Sequence, residues 1–314
     1  MISGPSGQPL NHPARCAPTY PFSLVDSDDG DEIGNERHHL QQNLLNSVNV
    51  PDIQKATPMP ASFKPVFLRL RNVLDRMIGK EIALKGGLAT TGVVRVGDTV
   101  RRPVTERSAF VHDVLRHLAL RKFDRVPRFL GIDEKGRAIL NYISGTVPHE
   151  ISVFQKEQGV AGAKLLRLFH DATVDCELKG ECEVICHGDP SPENYVFRDG
   201  MPFGLIDFDL AHPGKRQEDV GYAAWRWLHI GNDKLSAEEQ GASLVDFVAA
   251  YDAAATWNPL ELVLQAQCDL VARLPKGAKW ALVKTWAQAC MDWTERNREG
   301  IAAGIAMRSD NSPG

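Results

Sequence analysis

The chain has 314 residues, 43% of them hydrophobic, a formal net charge of −4 and six cysteines. That is enough apolar material for one large core or two modest ones, and the acidic balance excludes the basic stripe of a nucleic-acid binder or a membrane-surface patch. The cysteines are too few for a disulfide framework, no signal-like segment opens the chain and no apolar run approaches the ~20 residues that span a bilayer, so a reducing cytosol and a small-molecule ligand are expected.

Residues 1–64 are rich in Pro, Ser, Asn, Asp and Gly, include the acidic run from Asp26 to Glu32 and show no sustained apolar period; a mostly disordered tail is expected there. A short helix over 40–45 and an amphipathic one over 66–77 would follow. Three antiparallel strands are predicted at Glu81–Lys85, Val93–Val96 and Thr99–Arg102, joined by the Gly- and Thr-rich bend Gly86–Gly92 and the turn Gly97-Asp98. Ser108 reads as the N-cap of a helix reaching about Arg121, with Phe110, Val111, Val114, Leu115 and Leu118 on its apolar side. Two more strands, Phe129–Ile132 and Ala138–Ile143, flank turn residues Asp133 to Gly136. A small antiparallel sheet with one helix, over 65–145, is the result. Beyond Gly145 the pattern turns helical over 146–314, at Gly159–Ala172, Glu218–His229, Ala237–Ala254, Pro259–Leu274 and Lys279–Ala303.

One stretch breaks that helical run. Val184 to Cys186 is a short apolar strand, followed by His187-Gly188-Asp189 and, five residues after Asp189, Asn194. Tyr195–Arg198 and Phe203–Ile206 then flank the turn pair Asp199-Gly200, a hairpin ending on Asp207-Phe208-Asp209. A four-residue loop would pair Asn194 with Asp207; a two-residue loop would make them diagonal neighbours. Either register turns both to one face, where their oxygens suit Mg²⁺. Asp189, on the loop entering the hairpin, is placed to accept a proton from an attacking hydroxyl. His187, at a buried strand end, reads as a structural hydrogen-bonding residue. Cys182, Cys186 and His187 lack the spacing of a zinc hairpin.

The order His-Gly-Asp, four residues, Asn, hairpin, Ile-Asp-Phe-Asp resembles the aminoglycoside phosphotransferase and choline kinase branch of the protein-kinase-like fold, over roughly residues 80–300. The resemblance implies an α+β, bilobal fold with a small antiparallel-sheet N-lobe and a larger, mainly helical C-lobe. It also implies ATP and Mg²⁺ as cofactors, Asp189 as catalytic base, and Asn194 and Asp207 as the metal ligands. The segment from Glu218 to Trp227 resembles the family's helix after the metal-binding Asp, with Asp219 bracing the catalytic loop or capping that helix. On the nucleotide side, Gly86, Gly87 and Gly92, with Thr90 and Thr91, fit the loop over the phosphates, and Tyr142 and Ile143 fit the hinge at the adenine.

The family's usual Lys on the third strand is absent; the chain has Arg101 and Arg102, which alternation sends to opposite faces, and Arg101 is preferred as the phosphate contact. The following helix offers His112 and Asp113 but no glutamate to orient that cation. The implied activity is transfer of the ATP γ-phosphate to a hydroxyl of an aminoglycoside-like compound, an amino alcohol or a sugar. A protein kinase is disfavoured by Gly188, where Arg is usual, by Asp209 in place of Gly, and by the lack of Ala-Pro-Glu. The alternative is a non-catalytic nucleotide-binding or toxin-immunity module of the same fold. Asp246, Asp252 and Glu218 are candidates to attract a cationic sugar, although a solvated helix face accounts for each.

Overall fold

A computed structural model describes residues 81–84, 92–148 and 154–310, all within one compact unit from Lys80 to Gly314. The predicted tail, both helices before residue 80, and the bend from Lys85 to Thr91 lie outside the described residues.

The first part is an antiparallel sheet of β1 (Ile82–Ala83), β2 (Val94–Val96), β3 (Thr99–Arg102), β4 (Phe129–Ile132) and β5 (Ala138–Asn141), in the order β1-β2-β3-β5-β4. Helix α1 (Ser108–Leu120) sits between β3 and β4 in sequence and buries Val111, His112, Val114, Leu115 and Leu118. Ser108 opens this helix instead of capping it: its hydroxyl accepts from the Thr105 N–H at 2.8 Å, and Arg107 holds the N-cap position without a side-chain cap.

The second part is built on α2 (Lys156–Asp171), α3 (Arg216–Leu228), α4 (Ala237–Tyr251), α5 (Pro259–Arg273), α6 (Ala278–Arg296) and α7 (Arg298–Asp310). The starts of α4 and α5 follow from chemistry legible in the sequence. Ser236 and Glu239 form a reciprocal capping box, while Asn258 accepts the Leu260 and Glu261 N–H groups ahead of Pro259 at the first helical position. The single helix expected over Lys279–Ala303 is two. Asn297 leaves helical geometry and its side chain turns back to the Trp293 carbonyl at 2.8 Å. That break lets α7 lie backbone to backbone on α4: a Cβ on Gly304 would meet the Glu238 carbonyl at 2.0 Å, and one on Gly241 the Ile301 carbonyl at 2.1 Å.

Between α2 and α3 run β6 (Val184–Cys186), the hairpin β7 (Tyr195–Arg198) and β8 (Met201–Leu205), and β9 (His212–Gly214), an unpredicted strand that pairs with β6. One core joins the two parts, from Val114 and Leu118 through Phe169, Ile185, Tyr195 and Phe208 to Trp225, Trp227 and Phe247. Trp227 lies flat on α2, where a Cβ on Gly162 would come within 2.7 Å of the indole. The α+β, two-part arrangement expected from the sequence is therefore the one present, with the hairpin between them.

Candidate active site

The fully buried strand β6 delivers His187-Gly188-Asp189 to the surface of the helical part, and one carboxylate fixes the path of this loop. Asp219, in the first turn of α3 and 1% exposed, accepts the His187 N–H at 2.6 Å, the Gly188 N–H at 2.9 Å and the His170 Nε2–H at 3.0 Å. Burial works to raise the Asp219 carboxyl, yet the hydrogen bond from His170 and the electrostatic influence of the neighbouring histidines together outweigh it and bring it down to about 2. Burial in turn lowers His170, so the neutral ring donates through Nε2 and receives the Tyr251 hydroxyl at Nδ1, 2.7 Å away. Arg216 donates to that hydroxyl at 3.1 Å and pairs with Asp171 at 2.8 Å. The bracing role expected of Asp219 is thus visible atom by atom; the contribution of His170 carried no signal in the sequence.

Gly188 has φ +82°, and a Cβ there would stand 2.2 Å from the Leu210 carbonyl oxygen. Any other residue would be strained and in collision with backbone at once. His187 is structural, as expected: its Nε2 donates to the Ile206 carbonyl at 2.9 Å, and its ring lies 4.6 Å from that of Phe208. Asp189 follows, with its carbonyl accepting from the Asn194 amide at 2.9 Å and its Oδ1 buried without a hydrogen-bond partner. A buried carboxylate oxygen left unpaired is costly unless something else comes to meet it.

The hairpin has the two-residue turn that was one of the two expected, and a slip further up the ladder moves Asn194 out of both expected pairings. Arg198 opposes Met201 across a two-residue turn in which Asp199 (φ 49°) and Gly200 (φ 76°) are both left-handed, the type I′ geometry that Asp-Gly favours. Between Val196 and Phe197 the ladder slips by one residue, so Tyr195 pairs with Leu205 and the Ile206 N–H reaches the Asn194 carbonyl at 2.9 Å. Asn194 therefore opposes Ile206, one short of Asp207, and simple alternation no longer puts Asn194 and Asp207 on one face. Both have also left the strands: Asn194 ends a 3₁₀ turn, Pro192–Asn194, and Asp207 is left-handed at φ 64°, ψ 67°. That conformation, costly for a residue with a Cβ, re-aims the Asp207 carboxylate.

The carboxylate meets Arg102. The guanidinium of Arg102 lies 2.5 Å from Asp209 Oδ2 and 3.3 Å from Asp207 Oδ1. Arg101, the preferred residue on sequence grounds, is turned elsewhere: it donates to Thr99 Oγ1 at 2.6 Å and forms an ion pair with Asp133 at 3.6 Å. Alternation separated the two arginines correctly; which faced the aspartates depended on packing 105 positions away in the chain. The missing helix glutamate is answered here too, because Asp209 supplies the carboxylate that orients Arg102. Arg107, just ahead of α1, donates to the carbonyls of Asp209 at 2.8 Å and Ala211 at 2.5 Å and ties this turn to the sheet. Burial, with the like charge of Asp209, raises Asp207 above its ordinary value despite Arg102. Asp207 and Asn194 carry hard oxygen donors of the kind that Mg²⁺ takes.

Of the nucleotide-side residues, Gly86, Gly87, Thr90 and Thr91 lie outside the described residues. Gly92 is left-handed at φ 82°, close to Pro103. Tyr142 gives its N–H to the Asp98 carbonyl at 2.8 Å and carries Arg95 3.7 Å above its ring, and Ile143 is buried. The segment after them is pinned to the hairpin, with Thr146 and Phe197 exchanging backbone hydrogen bonds of 3.0 and 2.7 Å.

On the other side of Asp189 lies a group that sequence reading did not find. Tyr222, on α3, is held protonated by burial and by the Asp189 charge beside it. Arg273, in the last turn of α5, donates to the Gly188 carbonyl at 3.3 Å and lies 5.5 Å over the Tyr222 ring. Arg226, one turn beyond Tyr222, pairs with Glu193 at 2.8 Å and stacks 4.8 Å from Trp286. The acids considered for attracting a cationic sugar are committed instead: Asp246 to Lys156 and Arg308, Asp252 to Arg167, and Glu218 to His212. The cysteine pair singled out in sequence forms no cluster with His187; Cys186 lies near His212 and Glu218.

Residues 155–263 match the model of a phosphotransferase enzyme family, a span that holds Asp189, Asn194, Asp207 and Asp219. A trifolitoxin immunity protein of Rhizobium leguminosarum bv. trifolii is 34% identical over 181 residues, which is 52% of this chain and 68% of the relative. Among solved structures, a choline/ethanolamine kinase family protein from Mesorhizobium loti aligns with 15% identity over 79% of this chain and 100% of its own, at a TM-score of 0.48. An aminoglycoside phosphotransferase from Alicyclobacillus acidocaldarius subsp. acidocaldarius aligns with 14% identity over 74% and 92%, also at 0.48.

Proposed function

This chain belongs to the phosphotransferase enzyme family, and from that premise we propose that it transfers the γ-phosphoryl group of ATP to a hydroxyl of a small molecule. The observation that carries this reading is Asp189 Oδ1, buried and unpartnered on a loop whose two preceding N–H groups are locked to Asp219. A carboxylate so placed takes the proton of the acceptor hydroxyl as the new O–P bond forms, while the bond from the γ-phosphorus to the bridging oxygen breaks and its electron pair leaves with ADP. Asn194 and Asp207 would hold Mg²⁺, which would supply positive charge against the phosphates. Asn194 has its amide fixed on the Asp189 carbonyl, which relates the metal side of the site to the base.

Arg102 is the cation we assign to the phosphates, oriented by Asp209; its fork of donors matches phosphate oxygens as a lysine point charge does not. Arg102→Ala should weaken Mg·ATP binding about tenfold or more by calorimetry, the scale of one lost charge-assisted hydrogen bond, and Arg101→Ala should leave it within twofold. The reverse ranking would return the role to Arg101.

The direct test is a screen for ADP release and for phosphorylated product by mass spectrometry, with Mg·ATP and a panel of aminoglycosides, amino alcohols, sugars, hydroxy acids and nucleosides. Product with any one of them supports the reading. The immunity protein among the relatives favours a second reading, in which the chain protects a cell from a toxin by binding nucleotide without transferring phosphate. Tight Mg·ATP binding with no product across the panel, together with protection of a sensitive strain by the Asp189→Asn variant, would favour that one.

A further inference from the structure

The acceptor side of Asp189 is furnished with cations. The guanidinium of Arg273 is anchored by a single 3.3 Å hydrogen bond to the carbonyl of Gly188, the residue just before Asp189, and its plane lies over Tyr222. Among the described residues it has no carboxylate partner, and its side chain is on the exposed part of α5. An arginine held by one bond and one ring keeps the rest of its fork of N–H donors available, and that fork fits a carboxylate or phosphate. Arg226, on the same face of α3 as Tyr222, is neutralised by Glu193, yet its Nε is buried without a partner, as is Glu193 Oε2. The three acids considered for a cationic acceptor, Asp246, Asp252 and Glu218, are engaged in ion pairs elsewhere.

We propose that the acceptor carries an anionic group, a carboxylate or a phosphate, close to its reactive hydroxyl, and that Arg273 reads that group while Asp189 takes the hydroxyl proton. The inference rests on the phosphotransferase reading above and narrows its substrate class. The position of the Gly188 carbonyl fixes the geometry: the guanidinium is one residue from the base, so the anion and the hydroxyl belong to one compact molecule.

The test uses the full chain, Mg·ATP and matched acceptors that differ in one group: glycerate against glyceramide, gluconate against glucose, glycerol 3-phosphate against glycerol, and an amino sugar as the cationic arm. Anionic members should exceed their neutral partners on the order of ten- to a hundredfold in kcat/KM, the scale of a hydrogen bond to a charged group. The carboxylate and phosphate arms separate the two sources of charge. In Arg273→Gln that advantage should vanish, mainly through KM, and Arg273→Lys should restore part of it. A residue with only a structural part in the loop would slow all acceptors alike. Equal or better turnover of neutral or cationic acceptors, or an anionic preference that survives in Arg273→Gln, overturns the inference and leaves phosphotransfer standing. No phosphorylated product in any arm removes the parent reading and this one with it.

Discussion

Asp189→Asn is expected to lower kcat for acceptor phosphorylation by roughly 10²–10⁴, the usual contribution of a general base, while the protein stays folded. The two expectations come from the same atom. Asparagine has the shape of aspartate and no capacity to accept the proton, so chemistry loses its base. Asp189 Oδ1 has no hydrogen-bond partner, and asparagine keeps a carbonyl oxygen able to accept from the neighbouring Tyr222 hydroxyl, so the fold keeps its contacts. ADP release at saturating acceptor, read beside a thermal melt of the same sample, checks both halves. Undiminished turnover in a folded Asp189→Asn protein would move the base elsewhere.

Asp219→Ala is expected to do the opposite, costing stability on the scale of a broken buried polar network, about 3–5 kcal/mol by urea denaturation. Its loss would strand the His187 and Gly188 N–H groups and His170 Nε2 together, all in a dry interior. The same network sets an acid limit. Asp219 titrates at about 2 in the fold against 3.8 ordinarily, so its stabilisation is complete above pH 3.8 and fades as pH falls toward 2. His170 is also lowered, from 6.5, so below that pH the unfolded chain takes up the proton first and stability starts to decline. Urea midpoints measured against pH should therefore fall in two stages, and the lower one should be smaller in the Asp219→Ala protein, where only the other lowered carboxylates such as Glu81 and Asp246 remain to drive it.

The local chemistry of the chain was legible to the extent that neighbouring residues determined it. The five sheet strands, the Asp199-Gly200 turn and the starts of α4 and α5 rest on alternation, on a pair that tolerates positive φ, and on caps beside the helix they begin. What escaped was decided at long range. The slip at Phe203 shows only once β7 and β8 are paired, and β9 consists of His, Pro and Gly, which no strand pattern announces. The choice between Arg101 and Arg102 was open until the sheet lay against Asp207 and Asp209. Arg273 is the furthest case: a basic residue in the last turn of a helix is ordinarily explained by the helix dipole, and only the fold brings it to the Gly188 carbonyl 85 positions earlier.

The crowding of Gly188 against Leu210 bears on how such a site is governed. Kinases that wait for a phosphorylated segment answer it through arginines that pair with the new phosphate, and a basic side chain in this loop is their usual receiver. Here the position has no room for a side chain of any kind, since its first atom would fall 2.2 Å from a carbonyl oxygen. The loop is instead set by Asp219 from within the core, a carboxylate no modifying enzyme can reach. The path of this loop is thus set at folding, by a carboxylate inside the core.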